Sequence, residues 1–134
     1  MSVYDYFDDL IKPEFTPPAV VFRVVWPILY ILMFVSLYLF LKADGNNLKE
    51  WGFWLFITQL ALNFMWSPVF FYYKRIQLAF IIAILLTVAV AGMIFVFYKA
   101  SPVSGLINIP YLIWLIFADI LNYKIIILNN IEIG

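Results

Sequence analysis

Aromatic and polar side chains recur together at helical spacing in three stretches of the sequence. Steps of three and four residues place each set on one helix face. The three stripes are Arg23, Trp26, Tyr30 and Phe34; Gln59, Asn63, Trp66 and Phe70; and Tyr111, Trp114, Ala118 and Asn122. If they converge, they form an aromatic pocket with polar anchors, suited to a large flat apolar ligand. Alternatively, the polar residues join helices and the rings form the interfacial belts of a membrane protein.

The residue types that are missing exclude several kinds of chemistry. The chain contains no histidine and no cysteine. This removes the commonest general base, disulfides, thiolate nucleophiles and the usual ligands of transition metals and haem iron. We therefore predict no metal site, no required cofactor and no hydrolase or redox metalloenzyme. Eight basic residues balance eight acidic ones, so no basic field would attract nucleic acid as a partner.

The composition predicts a membrane protein. Hydrophobic residues make up 66% of the 134 residues and charged residues 12%, against about 45–50% and about 25% in soluble domains. Four apolar runs, at about 19–41, 51–73, 78–98 and 107–128, are each close to the ~20 residues that a membrane-spanning helix needs. Short connections make neighbouring helices antiparallel. We predict one domain over 1–134, an all-α, up-down, integral membrane bundle of four transmembrane helices.

The first eighteen residues differ from the rest. Residues 1–18 mix acidic and aromatic side chains, unlike a secretory signal, and end at Pro17 and Pro18, which mark a helix start. An even number of crossings places both termini on one side of the membrane. That side carries five basic residues and the other three, which predicts cytoplasmic termini. The two sets are Lys12, Arg23, Lys74, Arg75 and Lys124, and Lys42, Lys49 and Lys99.

Two ionisable residues lie well inside the apolar runs, where charges are costly. Arg23 is one turn into the first helix and is expected to reach the headgroups by snorkelling. Asp119 is near the middle of the last helix and needs a partner, a proton or a cavity. A pairing of the two is a hypothesis. The third run carries small residues every fourth position, which predicts close helix approach within the bundle or in a homodimer; these are Ala79, Ala83, Thr87 and Ala91.

Four motifs go beyond generic membrane helices. They are KPEFTPP at 12–18, VWPILY at 25–30, LNFMWSPVFF at 62–71 and PYLIWLIFADILN at 110–122. In this order, from about residue 6 to 122, they resemble the TspO/MBR family of tryptophan-rich sensory proteins and translocator proteins. The resemblance implies an integral membrane protein that binds tetrapyrroles such as protoporphyrin IX and haem. Transport, stress sensing and light-dependent porphyrin breakdown are roles associated with the family, as are sterol and benzodiazepine-type ligands.

The resemblance also implies site residues. The two tryptophans that the family links to porphyrin chemistry correspond to Trp26 and Trp114. The arm resembles the loop that covers the pocket, and Ala118 matches a small wall position. The full set of ligand-binding candidates is Tyr6, Phe7, Arg23, Trp26, Tyr30, Asn63, Trp66, Trp114, Phe117, Ala118 and Asn122.

The sequence departs from the family pattern in four respects. The family usually has five spanning helices, and the one that precedes the covering loop has no counterpart here, which predicts a pocket more open to lipid. The third helix has Phe80–Ile82 where many members carry an acidic residue, and Asp119 is atypical of its motif. The sterol pattern lacks its spacer between Tyr123 and Lys124, so we do not predict sterol binding.

Three functional hypotheses follow. The first is a membrane protein that binds, senses or transports porphyrin-like ligands, with lipid as its other contact. Metal-free porphyrin suits it at least as well as haem, and the propionates would reach Arg23 or Lys12. The second is light-dependent porphyrin degradation, with Trp26 and Trp114 as electron or radical participants; otherwise no enzymatic activity is expected. The third is a structural or interaction subunit without a small ligand.

Overall fold

Helices make up the regular structure of the part of the chain that the computed structural model describes, residues 19–69 and 76–128. The helices are α1 (Ala19–Lys42), α2 (Lys49–Ser67), α3 (Ile76–Ala100), the short α4 (Pro102–Leu106) and α5 (Ile109–Leu128). Three stretches, Val20–Lys42, Ile76–Ala100 and Pro102–Ile127, are long and apolar enough to cross a membrane. The prediction of an all-α membrane bundle is confirmed. A crossing by α2 stays a prediction.

The connection before the last apolar run contains a short helix, which the sequence pattern did not predict. The helix predicted over 107–128 is α5, and α4 lies just before it. Ser101 is extended, with φ −153° and ψ 108°, and Pro102 then occupies the first turn of α4, where its missing N–H is harmless. A Cβ on Gly105 would lie 2.8 Å from the backbone nitrogen of Tyr98. Glycine therefore allows α4 to fold back closely onto the end of α3.

Cross-helix contacts establish an up-down arrangement. Along α1 and α2, Met33 contacts Gln59 and Tyr30 contacts Asn63, so sequence numbers fall on one helix as they rise on the other. The same order relates α1 to α5, through the contacts Ser36 with Asn108 and Trp26 with Trp114. It also relates α3 to α5, through Thr87 with Asp119 and Phe80 with Tyr123.

The third helix is the centre of the bundle. It packs most extensively on α2, α4 and α5, whereas α1 makes fewer contacts with its neighbours. The predicted small-residue face serves this packing in part, because Ala79 and Ala83 are buried and Ala91 is exposed. A homodimer stays a prediction. Looser packing of α1 leaves space between it and α2, and this space forms the site described below.

The end of the bundle farthest from that space is tightly closed. The Phe40 and Phe97 rings stack with centroids 4.1 Å apart. Ser36 donates to the Ser104 carbonyl at 2.8 Å, and the Asn108 amide donates to Ser36. These buried bonds attach α1 to α4 and to the start of α5. The second half of α1 is therefore anchored to the bundle at this end.

Candidate ligand-binding cleft

A cavity lies between α1 and the second half of α2. It has a volume of about 250 Å³, and its walls are mostly aromatic. On α1, Phe22, Trp26 and Tyr30 follow one another at intervals of four residues and so project from one side of the helix. The complete lining is Phe22, Trp26, Tyr30, Asn63, Phe64, Trp66 and Ser67.

A much smaller hollow of about 20 Å³ extends the cleft towards α3 and α5. It shares Phe22, Trp26, Asn63 and Trp66 with the main cavity, so the two are contiguous. Its remaining walls come from α3 and α5: Ala83, Leu86, Trp114, Leu115 and Ala118. Members of all three predicted stripes therefore meet at one place, which is what the pocket interpretation of the sequence required.

The rings around the cleft contact one another edge to face. The centroid of Trp26 lies 6.4 Å from that of Trp114 and 6.3 Å from that of Tyr111, with interplanar angles of 89° and 77°. Phe22 meets Trp114 at 5.4 Å and 68°. Edge-to-face pairs contribute roughly 0.5–1.5 kcal/mol beyond their buried area. The cluster thus holds its ring faces in fixed directions before any ligand arrives.

An outer groove of about 480 Å³ runs between α1 and α5 on the other side of Trp114. Its lining is apolar: Val21, Val25, Leu29, Pro110, Ile113, Trp114 and Phe117. Trp114 belongs to both the groove and the inner hollow, so its indole forms the partition between them. The buried indole nitrogen of Trp114 has no hydrogen-bond partner among the described residues.

A chain of buried hydrogen bonds forms the polar side of the cleft. The Tyr30 hydroxyl donates to Asn63 Oδ1, and Asn63 Nδ2 donates to the Tyr111 hydroxyl at 2.8 Å. Tyr111 donates to Gln59 Oε1 at 2.7 Å, and Gln59 Nε2 donates to Met33 Sδ at 3.2 Å. The chain links α1, α2 and α5. Asn63 and Tyr30 are its only members that line the cavity.

The structure brings together six of the candidates from the sequence. They are Trp26, Tyr30, Asn63, Trp66, Trp114 and Ala118. Phe117 lines the outer groove and contacts Trp114 with centroids 5.6 Å apart. Tyr6, Phe7 and Phe70 lie outside the described residues. Phe34, the last member of its stripe, is 49% exposed, does not line either cavity, and contacts the Phe56 ring with centroids 5.5 Å apart.

Two candidates lie outside the cavity walls, and the hypothesised pairing of Arg23 with Asp119 is replaced by another contact. Asn122 is buried but does not line the cavities; its amide donates to the Ile76 carbonyl at 3.4 Å and joins α5 to the start of α3. Arg23 is exposed and is not a lining residue of the cleft. Asp119 is bonded to Thr87 on α3, at 2.6 Å, rather than to Arg23.

Some of the residues that line the cavity were not predicted from the sequence. Phe22 lies one position before Arg23, and its spacing of four from Trp26 was the signal that could have found it. Phe64 and Ser67 each follow a predicted residue, Asn63 and Trp66. The role of Tyr111 as the link between Asn63 and Gln59 was also missed, because it depends on how two helices align.

Comparison with known proteins gives a family. The TspO/MBR family model matches residues 1–128. The chain is 34% identical over 128 residues to protein CrtK of Rhodobacter capsulatus, covering 92% of this chain and 78% of that protein. It is 38% identical over 135 residues to the tryptophan-rich protein TspO of Archaeoglobus fulgidus, with coverages of 96% and 82%. The human translocator protein is 34% identical over 120 residues, with coverages of 88% and 71%. The chain therefore belongs to the TspO/MBR family and is a helical membrane protein.

Proposed function

We propose that the protein binds a porphyrin-like tetrapyrrole in the cleft between α1 and α2, for sensing or transport. The observation that carries the proposal is the convergence of aromatic rings from α1, α2 and α5 on one hollow. Relatives named tryptophan-rich sensory protein and translocator protein support a sensing or transport role. Apolar burial and ring stacking would supply the binding free energy, and neither requires a metal.

The size of the cleft determines how such a ligand would sit. Pockets that enclose a drug-sized ligand have volumes of about 300–1,000 Å³, and the main cavity has about 250 Å³. A tetrapyrrole would therefore insert one edge between Trp26 and Trp66, and its opposite edge would extend beyond the residues that line the cavity. Arg23, exposed next to Phe22, is placed on the outer part of α1, where it could meet a propionate on that opposite edge.

Tryptophan quenching by protoporphyrin IX tests this proposal. Purified protein in detergent is titrated with protoporphyrin IX, and the same titration is made with Trp66→Ala. Loss of one stacking indole should weaken binding about tenfold. Trp54→Ala is the matched control, because Trp54 is also on α2 but is 62% exposed and far from the cleft.

The outcomes separate the hypotheses. Saturable quenching that is weakened by Trp66→Ala and unchanged by Trp54→Ala supports the cleft. The absence of saturable quenching would favour the third hypothesis, a structural subunit without a small ligand. Equal weakening by both substitutions would indicate adsorption to the outer surface of the protein.

A second function, light-dependent degradation of bound porphyrin, is favoured by one observation. Trp26 and Trp114 both border the inner hollow, with centroids 6.4 Å apart, close enough for an electron to pass between the indoles. Illumination of the complex in air should then bleach the porphyrin bands faster than in empty micelles. A Trp26→Phe, Trp114→Phe double variant that still binds and bleaches porphyrin at the original rate would eliminate this function.

A further inference from the structure

The hydrogen-bond chain beside the cleft has a direction. Four successive bonds run from Tyr30 to Asn63, Tyr111, Gln59 and finally Met33. Gln59, Tyr111 and Met33 are at most 1% exposed, so this section is shielded from bulk solvent. Each of the two hydroxyls has one hydrogen to donate. The direction of one bond therefore determines the direction of the next.

Met33 fixes that direction. A carboxamide has nearly the same shape when its oxygen and nitrogen are exchanged, so its orientation follows from its partners. A thioether sulfur accepts hydrogen bonds weakly and never donates. Gln59 therefore turns its N–H towards Met33 Sδ, at 3.2 Å, and its oxygen towards Tyr111. In the reverse orientation, a buried carbonyl oxygen of Gln59 would face sulfur with no hydrogen between them.

The orientation of Gln59 determines what Tyr30 can do at the opposite end of this series of hydrogen bonds. Tyr111 donates its hydrogen to Gln59, so it accepts from Asn63 Nδ2 and leaves Asn63 Oδ1 towards Tyr30. Tyr30 then donates its only hydrogen to that oxygen. Its phenol oxygen, on the wall of the cavity, is left with lone pairs alone. Towards a ligand, Tyr30 can accept a hydrogen bond but cannot donate one.

We propose that Met33, acting through Gln59, Tyr111 and Asn63, makes Tyr30 an obligate hydrogen-bond acceptor, so that the cleft selects flat ligands with an outward-facing N–H or O–H. The proposal rests on the proposed function, because it assumes that a ligand occupies the cleft. A closed porphyrin ring points its pyrrole N–H groups inwards. Tetrapyrroles with an exposed N–H, such as open-chain ones, would satisfy Tyr30 better.

A matched pair of three-ring probes tests the preference. Carbazole carries an N–H where dibenzofuran carries an ether oxygen, and the two have nearly the same shape. Their affinities are measured by isothermal titration into protein-containing lipid nanodiscs, with empty nanodiscs as the blank. One neutral hydrogen bond corresponds to about a three- to tenfold difference in affinity. The wild type should prefer carbazole by that factor.

Two variants and one control assign the cause. Tyr30→Phe should weaken carbazole binding to the level of dibenzofuran and leave dibenzofuran unchanged. Met33→Leu conserves volume but removes the acceptor, so the Gln59 amide has an unpaired N–H or an unpaired oxygen in either orientation. The ratio of carbazole affinity to dibenzofuran affinity should therefore fall towards one. Met93→Leu is the control, since Met93 is equally buried and receives no hydrogen bond within the described residues.

Several results would overturn the inference. These are equal or stronger binding of dibenzofuran by the wild type, a preference that persists in Tyr30→Phe or in Met33→Leu, or a loss of preference in Met93→Leu. If neither probe binds while protoporphyrin IX still quenches saturably, the acceptor role fails and the proposed function stands. If protoporphyrin IX binding is also absent, both fail.

Discussion

Removal of the Tyr111 hydroxyl is the most direct test of the buried polar chain. Tyr111 is 1% exposed, accepts from Asn63 Nδ2 at 2.8 Å and donates to Gln59 Oε1 at 2.7 Å. A Tyr111→Phe substitution keeps the ring against Trp26 and removes both bonds. It leaves one N–H of Asn63 and the buried carbonyl oxygen of Gln59 without their partners.

The expected loss of stability can be worked from these two groups. A buried polar group that loses its partner costs about 1–3 kcal/mol in soluble proteins. Hydrogen bonds between membrane helices average about 0.6 kcal/mol, because the unfolded chain in lipid also finds partners. Two groups at roughly 1 kcal/mol each give about 2 kcal/mol. At roughly 4 °C per kcal/mol for a chain of this length, the melting temperature should fall by about 8 °C.

The assay is thermal unfolding in detergent followed by intrinsic tryptophan fluorescence. Tyr123→Phe is the matched control, since Tyr123 is on the same helix, is 43% exposed and keeps its ring contact with Phe80 after the change. The control should melt with the wild type. A Tyr111→Phe variant that melts within about 1 °C of the wild type, or a control whose melting temperature falls equally, would refute the argument that these hydrogen bonds hold α1, α2 and α5 together.

Three further predictions follow from other contacts. Gly105→Ala should lower the melting temperature, because the new Cβ would lie 2.8 Å from the backbone nitrogen of Tyr98. Gly92→Ala, whose new Cβ would have its nearest contact at 3.9 Å, should leave the melting temperature unchanged or raise it. Equal effects of the two substitutions would contradict the close packing of α4. Thr87→Val should lower the free energy of unfolding by about 1–2 kcal/mol, because it removes the donor to Asp119. A Thr87→Val, Asp119→Leu double variant should recover most of that stability in a melting experiment. A double variant that is less stable than the single variant would argue against the pair. With cytoplasmic termini, an Asn47→Cys thiol between α1 and α2 should react with an impermeant maleimide from outside intact cells, and exclusive labelling after lysis would reverse the orientation.

Helix faces could be read from the sequence, but positions along the faces could not. Spacing by three and four residues placed Trp26 and Tyr30 correctly. The steps of three, four and four from Arg23 to Phe34 add up to about 20° beyond three full turns, so both residues share the face of Tyr30. Phe34 lies one turn beyond Tyr30 and contacts Phe56 instead of the cavity, and Arg23 is exposed. Asn122 shares its face with Trp114 but lies about 12 Å farther along the helix, at 1.5 Å per residue.

Contacts between helices were beyond what the sequence could provide. The partner of Asp119 is Thr87 on α3, and this pairing depends on how α3 and α5 align lengthwise, which no pattern within one helix records. The route from Met33 to Tyr30 has the same origin, because each of its four hydrogen bonds crosses from one helix to another among α1, α2 and α5. The short α4 was missed because it lies within the connection between the third and fourth apolar runs, although Pro102 after Ser101 marks a helix start.

Protection of a thiol in the cleft tests the central claim most directly. The chain has no cysteine, so Ser67→Cys introduces one reporter at a lining position of the main cavity, and Asn47→Cys serves as a reporter in the exposed connection at the other end of the bundle. The rate of modification by a permeant maleimide is measured as protoporphyrin IX is added. We predict that the Ser67→Cys thiol is protected, with half-protection at the concentration that gives half-maximal tryptophan quenching, and that the Asn47→Cys thiol is unaffected. Unchanged modification of the Ser67→Cys thiol at saturating quenching would contradict the account, because the ligand would then bind outside the cleft.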